Sequence, residues 1–122
     1  MRASEILLQH RAPWVHNGDT WGIPGGARDS HENVLEAAIR EAKEETGIDP
    51  VHLTPVQTFS DDHGNWHYDT VIAYATDLLI AHELNDESHE VRWVDISEVD
   101  QLTLHPSFEK SWPELKRIIQ SL

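Results

Sequence analysis

Two glutamates, Glu41 and Glu45, lie four residues apart in a segment whose apolar spacing predicts a helix. At this spacing the two side chains lie one turn apart on the same stripe of the helix. Like charges so placed destabilise a bare helix, and the helix dipole disfavours anions near the C-terminal end, where these residues lie. A bound cation would offset both costs, and oxygen ligands in a chain without cysteine favour a hard ion such as Mg²⁺. The spacing therefore predicts a metal site, with Mn²⁺ as a substitute ion.

Further round the same predicted helix, one cation lies between two anions. Glu36, Arg40 and Glu44 follow one another at intervals of four residues. Such a column is typical of a solvated helix face, where each pair stabilises the helix by about 0.2–0.5 kcal/mol. The residues alone therefore predict a surface ion ladder. The apolar arc expected to face the core consists of Val34, Leu35, Ala38, Ile39, Ala42 and Thr46.

The residues around these charges resemble the signature of a known enzyme family. Gly26, Glu32 and residues 40–48, which read REAKEETGI, fit the Nudix box, G-x5-E-x7-R-E-U-x-E-E-x-G-U, where U is a bulky aliphatic residue. Residues 21–26, WGIPGG, resemble the W-x-x-P-G-G stretch that precedes the box. Ala42 departs from the pattern, because Leu, Ile or Val is usual there, and this concerns packing rather than chemistry. The chain thus resembles Nudix hydrolases of the MutT-like branch, which cut a diphosphate linkage with water.

The resemblance implies roles for the residues of the box. Glu41 and Glu45 would be metal ligands, Glu44 a further or water-mediated ligand, and the carbonyl of Gly25 another. Catalysis would involve Glu41 and Glu44. Four residues would support the site structurally, the two charged ones by pairing with each other: Gly26, Glu32, Arg40 and Gly47.

The general base varies within this family, and the resemblance leaves it open here. It is Glu41 itself or a carboxylate from a loop distant in sequence. Glu87, six residues before Trp93, is the candidate for such a base or a late-recruited metal ligand. Glu90 is the alternative, although strand alternation can point it outward. For both residues the ordinary interpretation is a solvated turn.

Substrate recognition is assigned to the chain around the first predicted strand. Arg11 resembles the arginine that contacts substrate phosphate in the MutT-type branch, and a guanidinium fork suits phosphate geometry. Trp14 and His16 follow in a loop that can meet the base or sugar. A lone surface arginine and a core tryptophan are the ordinary interpretations of these residue types. Trp66 and His67 are further candidates for stacking on a base, and His105, before Pro106 in a late loop, is another candidate site residue.

Composition limits the partners. The chain has 122 residues, enough for one domain spanning residues 1–122, and carries a formal net charge of -13. Such a charge repels nucleic-acid polymers and anionic membranes, and admits a phosphorylated small molecule only beside bound cations. Its apolar runs fall short of the roughly 18 residues of a membrane helix, and its start leads straight into a strand. We therefore expect a cytoplasmic protein that acts on a nucleotide.

The coarse secondary structure favours an α/β protein, with a mixed sheet sandwiched between helices. Predicted strands cover residues 5–10, 51–59, 66–79 and 90–96. The first helix is predicted over residues 31–46, with Asp29 and Glu32 as a capping box and Gly47 as its stop. The second is predicted over residues 112–121, with Ser111 and Glu114 as its capping box.

Members of the family normally have a strand and hairpin before the strand that here ends at Arg11. Only ten residues precede Arg11, so the usual first strand is expected to be missing. Either the chain starts further upstream, or another chain covers the gap. Ile6, Leu7 and Leu8 would then form an uncovered apolar row beside unpaired backbone groups. We therefore expect a homodimer whose interface includes residues 4–10 or the strand that would have flanked the missing one.

Other classes of protein fit less well. A nucleotide-sensing Nudix domain without catalysis is the main alternative, but it need not keep the glutamates that are intact here. The isopentenyl diphosphate isomerase branch relies on a catalytic cysteine, which this chain lacks. A carboxylate-rich cation buffer would show EF-hand spacing. The box does not specify the group on the diphosphate: 8-oxo-dGTP, a nucleoside diphosphate sugar and a dinucleotide polyphosphate stay open, and Arg11 favours the first.

Overall fold

A computed structural model describes residues 1–24, 31–62, 67–76 and 88–122 of the chain. The strands are β1 (Glu5–Arg11), β2 (Trp21–Gly22), β3 (Leu53–Asp62), β4 (His67–Ala75) and β5 (Ser88–Asp95). The α-helices are α1 (Val34–Thr46) and α2 (Pro106–Gln120), and two 3₁₀ segments span Pro50–His52 and Ile96–Gln101.

Two sheets carry these elements. In the first, β1 lies between β2 and β5 and pairs with both in antiparallel fashion; β5 accompanies β1 from Glu5 to Arg11. In the second, β3 and β4 form an antiparallel pair with an irregularity between Pro55 and Gln57. A parallel bridge joins Trp21 to Leu104. The described strands pair in antiparallel fashion and the isolated bridge is parallel, so pairings of both directions occur. The predicted α/β class with mixed sheets is confirmed.

The core lies between the first sheet and α2. Alternate residues of β1, Ile6 and Leu8, are buried, as the period of a strand requires. The buried residues of α2 recur at the spacing of one helix face. Together they form one cluster with Val94 of β5: Ile6, Leu8, Val94, Phe108, Trp112, Leu115 and Ile118. The expected uncovered apolar row on β1 is therefore wrong for Ile6 and Leu8, because α2 covers that face within the same chain.

Helix α1 begins later than predicted. Its N-cap is Asn33, whose Oδ1 accepts from the Glu36 backbone N–H at 2.8 Å, while Glu36 Oε1 accepts from the Asn33 N–H at 3.1 Å. The capping box built on Asp29 and Glu32 is thus wrong, because Asn33 and Glu36 satisfy the same pattern one turn later. Gly47 ends the helix as predicted: it adopts φ 70°, and its N–H donates to the carbonyl of Lys43.

Helix α2 begins earlier than predicted. Its N-cap is His105, whose Nδ1 accepts from the Ser107 N–H, and Pro106 occupies the first turn. Ser111, expected as the cap, is buried inside the helix. Pro113 also lies inside, at a cost of roughly 3 kcal/mol, and the burial of the core face offsets this cost. Tertiary packing therefore extends α2 across a residue that ends most isolated helices.

The remaining bounds differ from the predicted ones by a few residues. Residues 51 and 52 belong to a 3₁₀ segment capped by Asp49, whose carboxylate accepts from the Val51 N–H. Strand β4 ends at Ala75 within the described part of the chain, and Ile96 starts a 3₁₀ segment rather than ending β5. Among the described residues, neither helix is long and apolar enough to span a bilayer.

Candidate active site

Arg40 is the centre of the charged network on α1. Its guanidinium forks onto the carboxylate of Glu32, with Nε donating to Oε2 at 2.7 Å and Nη2 to Oε1 at 2.9 Å. The Glu32 side chain is 8% exposed and that of Arg40 28%. A bidentate pair of this kind is short, charge-assisted and geometrically specific. It ties the segment before the helix to the middle of the helix, and it is the ion pair expected for these two residues.

The same guanidinium binds two further carboxylates. Nη1 of Arg40 donates to Glu41 Oε1 at 2.9 Å and to Glu44 Oε2 at 3.2 Å. The Glu41 side chain is mostly buried, whereas that of Glu44 is largely exposed. The column of charges is therefore more than the predicted surface ladder, because Arg40 turns toward the buried Glu32 and Glu36 is used in the helix cap.

The apolar arc of α1 lines a cavity rather than a packed core. Leu35, expected to face the core, is 39% exposed, whereas Ala37, outside the predicted arc, is buried. The spacing of apolar residues shows which face of the helix is apolar, but not what that face contacts. Here part of the apolar face borders the cavity. The arc residues that contribute to the cavity wall are Val34, Leu35, Ala38, Ile39 and Ala42.

The cavity has a volume of about 920 Å³ and brings together residues from distant parts of the chain. Glu41 and Glu45 line it from α1, Gln9 and Arg11 from β1, and His105 from the segment before α2. Two carboxylates of α1 and the Arg11 guanidinium therefore border one space whose remaining wall is mainly apolar. This combination suits a phosphorylated ligand whose charge is shared between a cation and an arginine.

Of the three predicted substrate-binding residues in and before the loop after β1, only Arg11 lines the cavity. Arg11 lines the cavity, and its Nε donates to the carbonyl of His16 at 3.1 Å. Trp14 is 68% exposed, and neither its side chain nor that of His16 is part of the cavity wall. Arg11 thus lines the same cavity as Glu41 and Glu45, whereas Trp14 and His16 lie on the adjoining loop, outside the cavity wall.

The structure brings His105, a candidate from the sequence, to the cavity. It lines the cavity, and its side-chain Nε2 lies 3.5 Å from the side-chain nitrogen of Asn17. Burial lowers the pKa of His105, and the positive charges of Arg11 and His16 lower that pKa further. The sequence analysis did not assign its role as the N-cap of α2, for which the dipeptide His105-Pro106, a capping side chain before a helix-starting proline, is the local signal.

The donor set on α1 fits a hard cation in its chemistry. Glu41, Glu44 and Glu45 offer only carboxylate oxygens, the ligand type that Mg²⁺ prefers. In the described ranges, however, no three acidic or histidine side chains converge in the geometry of a complete metal site. Further donors would have to come from elsewhere, and two predicted ones, the Gly25 carbonyl and Glu87, lie outside the described residues, as do Gly26 and Trp66.

Glu90, the alternative base, is described. It lies on β5 opposite His10, about half exposed, and pairs with Arg92 at 3.2 Å. Neither residue of this ion pair lines the cavity. This position is typical of a surface ion pair, so Glu90 is not brought to the candidate site.

Comparison with known proteins gives consistent matches. The model of the NUDIX domain family matches residues 1–115. A protein of Mycobacterium tuberculosis named "Putative 8-oxo-dGTP diphosphatase 3" is 46% identical over 117 residues, which cover 91% of this chain and 54% of that protein. A Bifidobacterium longum protein named "Nucleoside triphosphate pyrophosphatase/Nudix hydrolase fusion protein" is 36% identical over 99% of this chain and 26% of its own length. The chain therefore spans about half or less of these two relatives.

Solved structures agree with the same fold. The crystal structure of RenU, a Nudix hydrolase from M. smegmatis, superposes with a TM-score of 0.89 at 44% identity, covering 97% of this chain and 76% of that one. A structure from a study of MutT from Aliivibrio salmonicida and Vibrio cholerae matches with a TM-score of 0.67 at 24% identity. The match covers 98% of this chain and 88% of that one. At that identity the MutT likeness concerns the fold alone.

Proposed function

The chain belongs to the NUDIX domain family, and on that premise we propose that it hydrolyses the diphosphate linkage of a nucleoside diphosphate derivative with the help of Mg²⁺. One observation carries the proposal. Arg40 pairs with Glu32, just before α1, and with Glu41 and Glu44 on α1, and Glu41 lines the same cavity as Arg11. Glu41 is thus held by a cation and shares with the Arg11 guanidinium a space large enough for a nucleotide.

In this proposal the residues of α1 hold the metal and those of β1 hold the substrate. Glu41, Glu44 and Glu45 would bind Mg²⁺, with the Gly25 carbonyl and Glu87 as further donors. When bound, the metal lowers the pKa of water and neutralises charge that develops on the diphosphate. Arg11 would orient a phosphate through the two terminal nitrogens of its guanidinium, because its Nε already donates to the carbonyl of His16. Glu41 or Glu87 would accept the proton of the attacking water.

We propose an oxidised nucleoside triphosphate such as 8-oxo-dGTP, or a related nucleotide, as the substrate. Support comes from the Mycobacterium tuberculosis relative, whose name states that activity, and from the presence of Arg11 on the cavity wall. Trp14 and His16 would contact the base or sugar when the loop of residues 12–20 meets the ligand. A nucleoside diphosphate sugar and a dinucleotide polyphosphate are the competing substrates.

The test is a panel assay of the purified chain with and without Mg²⁺. Substrates are 8-oxo-dGTP, dGTP, ADP-ribose and a dinucleotide tetraphosphate, and the products are resolved by ion-exchange chromatography. We expect Mg²⁺-dependent release of pyrophosphate and 8-oxo-dGMP at a higher kcat/KM than for dGTP. Tight equilibrium binding of a nucleotide without turnover would refute the proposed hydrolase activity and favour a nucleotide-sensing domain. Turnover of another substrate alone would retain the hydrolase and change its substrate.

A further inference from the structure

We propose that His105 is a positioning residue for Arg11, on which it acts through the loop of residues 12–20. The proposal rests on the proposed function, because that function assigns Arg11 to the substrate phosphate. His105 lies outside the Nudix box, directly before α2, and is separated from Arg11 by most of the chain length. A series of contacts through the loop connects the two residues.

The loop of residues 12–20 joins β1 to β2 and binds the Arg11 side chain. Arg11 Nε donates to the carbonyl of His16 at 3.1 Å, and the Arg11 backbone N–H donates to the carbonyl of Thr20 at 2.9 Å. The loop is tight, because a Cβ at Gly18 would lie 2.6 Å from two of its carbonyl oxygens. The conformation of this loop therefore decides where the guanidinium reaches into the cavity.

His105 connects this loop to β2 and α2. Its backbone N–H donates to the carbonyl of Trp21 at 2.8 Å, and its Nδ1 accepts from the Ser107 N–H at 3.2 Å. Its Nε2 lies 3.5 Å from the side-chain amide of Asn17, which is the neighbour of His16 in the loop. The backbone and one ring nitrogen are thus fixed by β2 and α2, while the other nitrogen meets the Arg11 loop.

The protonation state of His105 follows from the same contacts. Nδ1 can accept from Ser107 only when it is unprotonated, so a neutral ring carries its proton on Nε2. Burial lowers the pKa of His105, as do the nearby charges of Arg11 and His16, and this keeps the ring neutral. Nε2–H is therefore a donor toward Asn17, whose amide accepts through its oxygen, an orientation that rotation about the terminal torsion allows.

A contact that only orients Arg11 has a defined kinetic signature. If Arg11 binds the substrate phosphate equally in the ground and transition states, a misplaced loop raises KM and leaves kcat unchanged. Loss of α2 stability, the purely structural alternative, would lower the melting temperature and the amount of folded enzyme without this split.

The experiment is a double-mutant cycle on His105 and Asn17 in the full chain. His105→Asn keeps a helix-capping oxygen but is too short to reach Asn17. Asn17→Gly removes the partner at φ 56°, a conformation that glycine tolerates. We expect each variant to raise KM roughly fivefold, the size expected for one lost hydrogen bond. The double variant should match either single one, and His52→Asn, on a 3₁₀ segment away from the loop, should match the wild type.

Amide hydrogen exchange, measured on the protein without nucleotide, separates this proposal from the proposed function. The Asp19 N–H donates to the Arg11 carbonyl, and its exchange should accelerate in His105→Asn and in Asn17→Gly. Unchanged exchange, additive effects on KM, or a fall in kcat at constant KM would each overturn the positioning role. If the wild type hydrolyses no nucleotide, the proposed function fails, and the exchange rates still decide whether His105 holds the loop.

Discussion

At the scale of single residues, the two glutamates that border the cavity carry the chemistry we propose. We expect Glu41→Gln and Glu45→Gln each to lower kcat by roughly two orders of magnitude or more, the range for loss of one electrostatic stabiliser in an active site. Each change preserves size and removes a ligand charge, so the fold should survive. Turnover at saturating Mg²⁺ is the measurement, with Glu98→Gln, an exposed carboxylate on a 3₁₀ segment, as the matched control. Retention of most activity by either variant would refute its role as a metal ligand.

Arg40 allows a second prediction at this scale, because it satisfies a nearly buried carboxylate. Arg40→Gln leaves Glu32, 8% exposed, without its bidentate partner. Breaking a buried pair costs about 3–5 kcal/mol, and we expect somewhat less, roughly 2–3 kcal/mol, because Arg40 is partly exposed. Urea unfolding measures the loss. The double variant Glu32→Gln/Arg40→Gln should recover part of it, since position 32 then carries no charge, although Glu41 and Glu44 still lose their contact with Arg40. Equal losses in the single and double variants would contradict the pairing.

At the scale of elements, the start of α1 distinguishes two capping residues. Asn33 satisfies the Glu36 N–H and has its own N–H satisfied in return, so Asn33→Ala should cost about 1 kcal/mol of the free energy of unfolding. The sequence alone favoured Asp29 as the cap, and Asp29→Ala is therefore the matched comparison. Unfolding curves of the two variants decide between them. A larger loss for Asp29→Ala would return the helix to its longer predicted form.

At the scale of the whole molecule, His105 links folding to pH. Its pKa is lowered in the folded state by burial and by Arg11 and His16, so the folded protein binds this proton less readily than the unfolded chain. The stability contribution is therefore present above the ordinary histidine pKa of 6.5 and lost as the pH falls through the lowered folded value. We expect the melting temperature to fall between pH 7 and pH 5 less steeply in His105→Asn than in the wild type. Parallel curves would show that this histidine does not contribute.

The homodimer also belongs to this scale and stays a prediction. The expectation of a dimer depends on an uncovered apolar row and unpaired backbone groups on β1, but Ile6 and Leu8 are buried in the core of one chain. Light scattering across a concentration series measures the oligomeric state. A dimer would need an interface beyond those two side chains, and a monomer at high micromolar concentration would show that one chain covers β1 by itself.

Much of this protein follows from local pattern. The sequence predicts the strand that begins at Glu5 and the stop of α1 at Gly47, because neighbouring residues determine both. The resemblance to the Nudix box implies the pairing of Arg40 with Glu32, which lie eight residues apart. Competing local signals were the source of the errors. Asp29 with Glu32 imitated the capping box of α1, and Ser111 with Glu114 imitated that of α2.

Tertiary structure alone decided which distant residues share a space. Arg11 meets the glutamates of α1 across a cavity, and His105 meets Asn17, 88 residues away in sequence. Sequence periodicity does not predict these long-range contacts, because they depend on how β2 and α2 pack against each other in the folded chain. The burial of α2 against β1 likewise extends that helix over Pro113, since the free energy of packing exceeds the local preference to stop. The residues of the candidate site on α1 can thus be predicted from the sequence, whereas the residues that line the cavity opposite them are determined by the fold.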